Sequence, residues 1–210
     1  MSRSRVSLAA LTVLGTALSA CMATPPQPAP ETRSPAQRQL DALPVSPADT
    51  SGYSAAAFGQ GWDPQPAAGK HCDTRSVVLR LADPLARFGA HCTPETGHWP
   101  SYYTQTTETD PSQVTIDHVV SLKDAWASGA RTWSPQQRHA FANDLTTPEL
   151  APVSKRVAQQ KNGAAADTWR PPHPGAWCRY ATEQTQAKEA AHLSVTEPEK
   201  RALADMLTHC

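Results

Sequence analysis

Val114-Thr115-Ile116-Asp117-His118-Val119-Val120 is a β-branched, apolar run with two ionisable residues in its middle. That composition predicts a strand ending near the pair. Placing a carboxylate and an imidazole in an apolar strand costs solvation, and proteins tolerate this mostly where the groups are used. Consecutive side chains of a strand point to opposite faces, although a twist or bulge at its end can bring both to one site. The alternative is a surface Asp–His pair on an edge strand.

Outward from this run, Ser121 to Ser128 reads as a short helix closed by Gly129. Ser134-Pro135 is a cap with proline at the first helical position, opening a helix through Phe141 that ends near Asn143. Leu150 to Val153 reads as a second strand, and Lys155 to Ala165 as a helix. Upstream, Asp73 caps a helix with an apolar stripe of Val77, Val78, Leu81 and Leu85, which Pro84 ends or kinks. Gly97 to Thr109 is rich in Thr and Tyr and reads as extended. Thr196 with Glu199 forms a capping box for a last helix carrying Leu203, Met206 and Leu207.

Over 210 residues, 19 Lys plus Arg balance 19 Asp plus Glu. A formal charge of zero argues against a protein that coats nucleic acid by bulk electrostatics. Arg3 and Arg5 followed by the apolar Val6 to Leu18 predict an export signal over residues 1–20. Its end, Leu18-Ser19-Ala20-Cys21, resembles the bacterial lipobox, which makes Cys21 a lipidation site and anchors an exported chain to the cell envelope, the outer membrane or periplasm of a Gram-negative host. Residues 21–52 hold seven of the 20 prolines with little to bury, and predict an extended tether ahead of a domain over 53–210. No later stretch is apolar enough to span a bilayer.

With Cys21 assigned to lipid, Cys72, Cys92, Cys178 and Cys210 remain, and an oxidising compartment favours two disulfides. Three connectivities exist; the sequence-local pairings Cys72–Cys92 and Cys178–Cys210 are expected. A zinc site on His71-Cys72 and His91-Cys92 is the competing reading, without a CxxC or HxxxH spacing to support it.

Asp117-His118-Val119-Val120-Ser121-Leu122 is followed in order by Ala125-Trp126-Ala127-Ser128-Gly129-Ala130, Trp133, Arg138 and Phe141-Ala142-Asn143-Asp144-Leu145. Trp169-Arg170-Pro171-Pro172 and Trp177-Cys178-Arg179-Tyr180 come later, and Phe58-Gly59-Gln60-Gly61-Trp62-Asp63 and Cys72-Asp73-Thr74-Arg75 come earlier. The series resembles HNH nucleases of the His-Me finger superfamily, in particular secreted bacterial members related to the C-terminal domain of GmrSD restriction endonucleases. The resemblance implies an α+β fold, with a ββα-metal core embedded in a mainly helical domain. It implies His118 as general base and Asp117 as a ligand for a divalent cation, Mg²⁺ or Mn²⁺. Asn143 would fix the loop that orients the base.

The implied activity is hydrolysis of phosphodiester bonds in DNA, with RNA as the alternative, outside the cytoplasm. An imidazole titrating near neutrality can deprotonate water, and a carboxylate-bound metal can stabilise the leaving oxygen. Lys155, Arg156, Lys161, Arg170 and Arg179 face only Asp167 between residues 151 and 180, a local excess of four positive charges. Lys155, Arg156, Lys161 and Arg138 are the candidate substrate contacts; no obligate protein partner is implied. One departure matters. The family pattern places a metal-binding Asn three residues before Lys161, where this chain has Ala158. Asn162 is the substitute ligand; otherwise the site is weakened, or the chain is a degenerate HNH-fold envelope lipoprotein acting as a binding module. Ser121 replaces the usual Pro.

Overall fold

Ser34 and Pro35 open a helix where the composition predicts only extended chain. In the computed structural model, which describes residues 33–210, the Gln37 amide donates to Ser34 Oγ and the Gln37 side chain accepts from the Ser34 amide. This capping box starts helix α1 (Pro35–Ala42), whose Ala36 and Leu40, with Leu43 beyond its end, are buried among Tyr180, Leu203, Met206 and Leu207. Ser46 and Val195 continue the docking, the Ser46 amide donating to the Val195 carbonyl at 2.9 Å. The tether expectation for residues 21–52 is corrected here: the folded unit begins at Arg33 rather than at Tyr53. Burial of Leu40 and Leu43, worth about 1.5–3 kcal/mol each, offsets the ordering entropy that a proline-rich composition suggests is uncompensated. The export signal, Cys21 and the tether through residue 32 lie outside the described residues.

The described residues form a mixed α+β fold of seven α-helices and three two-stranded antiparallel sheets. After α1 come α2 (Thr74–Ala82), β1 (Arg87–Phe88), β2 (Pro94–Thr96), β3 (Trp99–Ser101), β4 (Thr106–Glu108) and β5 (Val114–His118). The chain continues through α3 (Leu122–Ala127), α4 (Pro135–Ala142), β6 (Leu150–Ser154), α5 (Lys155–Lys161), α6 (Trp177–Ala190) and α7 (Glu197–Leu207). Strand β5 pairs with β6 from Val114↔Ser154 to His118↔Leu150, and α5 follows β6 without a break. Strand, strand and helix thus stand in the expected order, around the residues that opened the sequence reading.

Period-two alternation sorts the sides of β5. Val114 and Ile116 pack with Val78, Leu79 and Trp99 under α2, whereas Val153 of β6 and Val157 of α5 lie in the opposite core with Tyr103, Tyr180 and Val119. Asp73 caps α2 as its sequence suggests, accepting from the Ser76 amide at 2.8 Å. The stripe assigned to that helix is corrected: Leu81 and Leu85 are 72% and 91% exposed, and Val78 and Leu79 face inward. Helix α5 stops at Lys161, four residues before the expected Ala165, because Asn162 takes the left-handed conformation (φ 47°) and Gly163 follows with φ 73°. Both sequence-local disulfides are present, Cys72–Cys92 and Cys178–Cys210, the second tying the start of α6 to the C-terminus. Among the described residues, no helix is long and apolar enough to cross a membrane.

Candidate functional site

His118 ends β5 on the side of α2. Its Nε2 lies 2.9 Å from the carbonyl of Ala142, the last residue of α4. A carbonyl can only accept, so Nε2 carries the proton and Nδ1 presents its lone pair. The indole of Trp62 stacks on the imidazole, with ring centres 5.7 Å apart and 18° between planes. His118 and Trp62 line an open cleft of 440 Å³ together with Phe58, Gly61, Leu122 and Ala142. Burial lowers the His118 pKa below the ordinary histidine value; the Ala142 hydrogen bond and the Asp117 charge oppose that shift, and Lys161 adds to it. The shift favours the neutral ring, the form a general base requires.

Asn143 caps α4 and is buried. Its Oδ1 accepts from the Asp63 amide at 2.8 Å and its Nδ2 donates to the His139 carbonyl at 3.2 Å. It therefore ties the Trp62–Asp63 segment to the helix end whose carbonyl holds His118. His139 completes the clip, with Nε2 2.6 Å from Asp63 Oδ1 and Nδ1 3.1 Å from the Phe58 carbonyl. The hydrogen bond to Asp63 chiefly raises its pKa above the usual histidine value.

Asp117 faces the other way, toward α5. Its Oδ2 accepts from Tyr103 Oη at 2.8 Å and from Lys161 Nζ at 2.7 Å. Lys161 is 1% exposed and also donates to the His118 and Val119 carbonyls, at 2.6 and 2.8 Å. Its assignment as a substrate contact is corrected: the ammonium spends its three donors inside the protein, where it holds the end of β5. Arg138 is corrected likewise. It donates to the carbonyls of Ala57 (2.8 Å) and Trp133 and stacks over Trp126, so it braces the loops around α4.

Much of the local basic excess is neutralised as well. Arg170 pairs with Asp205 at 2.9 Å and Arg179 with Glu183 at 2.8 Å. Lys155 and Arg156 remain exposed at the start of α5. The register places Lys155 opposite Gln113, one step beyond Val114 and five strand steps from His118, or about 17 Å along the strand.

A divalent cation finds a partial donor set. Among the described residues, Asp117 Oδ1 has no hydrogen-bond partner, and one or two carboxylates together with substrate phosphates are what Mg²⁺ usually takes. Ala158 packs against the core, and Asn162 is exposed past the end of α5, with no hydrogen bond to Asp117 or His118. No group of three His, Cys, Asp or Glu side chains gathers among the described residues. The residues present offer a hard cation a single free carboxylate oxygen, beside one already occupied by the Lys161 charge.

Sequence reasoning missed Glu149. It is fully buried; its carbonyl accepts from the Val119 amide at 2.7 Å and its Oε2 from the Val120 amide at 3.1 Å, which fixes the turn after His118. Burial pushes its carboxyl well above the usual range, against the Val120 hydrogen bond and the Lys161 charge, and its Oε1 has no hydrogen-bond partner. The only signal in the sequence is an acidic residue directly ahead of an apolar strand. Trp62 stood in a quoted motif without a role, and its stacking on His118 supplies one. A second hollow of 450 Å³, lined by Trp133, Phe141, Ala187 and His192, shares no lining residue with the His118 cleft.

Residues 95–206 match the model for GmrSD restriction endonucleases, C-terminal domain, a span that holds Asp117, His118, Asn143, Glu149 and Lys161. An uncharacterized secreted protein of Arthroderma benhamiae is 39% identical over 204 residues, covering 97% of this chain and 96% of the relative. No solved structure matches the chain. On the length of the matched span and the near-complete coverage of that relative, the chain belongs to the family of GmrSD restriction endonuclease C-terminal domains.

Proposed function

We propose that the protein is a metal-dependent HNH endonuclease that hydrolyses phosphodiester bonds of DNA, with RNA as the alternative substrate, outside the cytoplasm. The observation that carries the reading is the His118–Ala142 hydrogen bond, which leaves a neutral Nδ1 as the one basic nitrogen at the cleft. In this reading β5, β6 and α5 are the His-Me finger core. His118 Nδ1 takes a proton from water as its oxygen attacks phosphorus, in line with the departing sugar oxygen. Trp62 keeps the imidazole plane fixed and Asn143 keeps Trp62 in place. Lys155 and Arg156, about 17 Å or more along the strand, reach flanking phosphates rather than the scissile one. Asp117, on the α5 side of the strand, with Asn162 as the proposed second donor, would hold Mg²⁺ or Mn²⁺, and the bound ion would supply charge to stabilise the leaving oxygen.

Export is supported by the description of the Arthroderma benhamiae relative as secreted. Attachment to a membrane through a lipidated Cys21 rests on the N-terminal sequence. The second reading is a binding module that keeps the fold without catalysis; Ala158 and the Lys161–Asp117 ion pair favour it. Incubation of the purified protein with supercoiled plasmid and with single-stranded RNA, in Mg²⁺, Mn²⁺ or a chelator, separates the two. Nicking that requires metal supports the enzyme. Binding without nicking under every condition supports the module.

A further inference from the structure

We propose that His71 and His91 form a surface site for one divalent transition-metal ion of the imidazole-preferring class, Cu(II) above all, that does not use His118. Each histidine directly precedes a cysteine of the Cys72–Cys92 disulfide, so the bridge brings the two side by side. Their ring centres are 4.6 Å apart, with 54° between planes. Imidazoles that bind one ion at about a right angle, through bonds of about 2.0–2.1 Å, have ring centres roughly 4.5 Å apart. That right-angle relation suits tetragonal Cu(II).

The backbone gives an independent reason. His71 and His91 both hold positive φ, 69° and 60°, where a side chain other than glycine's costs free energy. Two such residues, one on each arm of the bridge, present both rings on the exposed surface. Neither ring has a hydrogen-bond partner among the described residues. The thiolate ligands of the zinc alternative are consumed in the disulfide, which leaves the imidazoles as the ligand pair. His71 also lines a hollow of 340 Å³ with Trp62, Pro64, Pro66 and Asp73, room for the waters that complete the ion's shell.

The test is titration of the oxidised full chain with Cu(II), read by calorimetry and electron paramagnetic resonance, beside H71N and H91N. Asparagine tolerates the left-handed backbone, so both variants retain the loop. The expected result is a one-to-one site whose affinity falls by about ten-fold or more in each variant. Nitrogen coupling from two imidazoles should fall to one in either variant. One-to-one binding that persists unchanged in both would overturn the proposal, as would wild-type affinity equal to that of the H71N/H91N double variant. Neither result bears on phosphodiester cleavage, which is read at His118.

Discussion

Lys161 Nζ lies 2.7 Å from Asp117 Oδ2, in a pair that joins the last turn of α5 to the end of β5. The ammonium is 1% and the carboxylate 13% exposed, so each charge relies on the other for most of its compensation. The same ammonium bonds the carbonyls of His118 and Val119, and the pair therefore sets the backbone that carries the candidate base.

Removing the cation alone should be severe. Lys161→Met is expected to lower stability by about 3–5 kcal/mol, since it leaves a largely buried carboxylate without its counter-charge. Urea denaturation measures it. The K161M/D117N double variant should recover most of the loss; a single-variant loss below about 1 kcal/mol would show that the pair is not structural.

Trp62 offers a test that separates positioning from folding. Trp62→Ala removes a stacked ring worth about 0.5–1.5 kcal/mol, or roughly a two- to ten-fold fall in kcat/KM, while Trp62→Phe should keep most of the rate. Steady-state cleavage of a fluorogenic oligonucleotide gives both values. Equal rates for W62A and wild type would remove the indole from the site.

The pH profile follows from the two histidines. Burial lowers the His118 pKa from its ordinary 6.5, so the acidic fall in activity should have its midpoint below 6.5. A folded value below the unfolded one means that His118's own contribution to stability is present above the unfolded value and lost as pH falls from there through the folded value. His139 has the opposite sign: its pKa is raised, chiefly by the Asp63 hydrogen bond, so its contribution is full below 6.5 and disappears as pH rises through the folded value. Asp63→Asn should therefore lower the melting temperature at acidic pH and leave it nearly unchanged at alkaline pH. A uniform shift across the range would assign Asp63 a role without proton linkage.

The Cys178–Cys210 bridge joins residues 32 apart in sequence, closing a loop that holds nearly all of α6 and the whole of α7. Replacing both cysteines with serine should cost about 2–5 kcal/mol, seen in the same urea titration. Peptide mapping of the native protein without reductant should find both bridges and no free thiol among these four cysteines.

Local signals carried much of the fold. The caps at Asp73, Ser134 and Thr196 and the β-branched run to His118 are short-range features, and each marks the element expected from it. Tertiary context decided the rest. Helix α1 has only Ala36 and Leu40 as buried positions within a proline-rich stretch, so its docking surface is invisible until α6 and α7 supply the other side. Helix α6 went unread because Lys188 and Gln184, fully buried, blur its apolar stripe; Lys188 is there to meet Asp124 and Glu199 at 3.0 and 2.8 Å.

In the site, His118, Asp117 and Asn143 were legible as a constellation, but their partners were not. A backbone carbonyl at Ala142, an indole from residue 62 and a buried ammonium from residue 161 reach His118 and Asp117 only through long-range packing. Lys161 shows the limit best. Its charge suggested phosphate binding, and only its burial shows that it serves Asp117 instead.

The central claim is that His118 activates water. Its most direct test is plasmid cleavage by His118→Ala, purified beside wild type, with circular dichroism as the check on folding. The account predicts an unchanged spectrum and a rate about 10²–10⁴-fold lower. A folded variant that cleaves at the wild-type rate would contradict it.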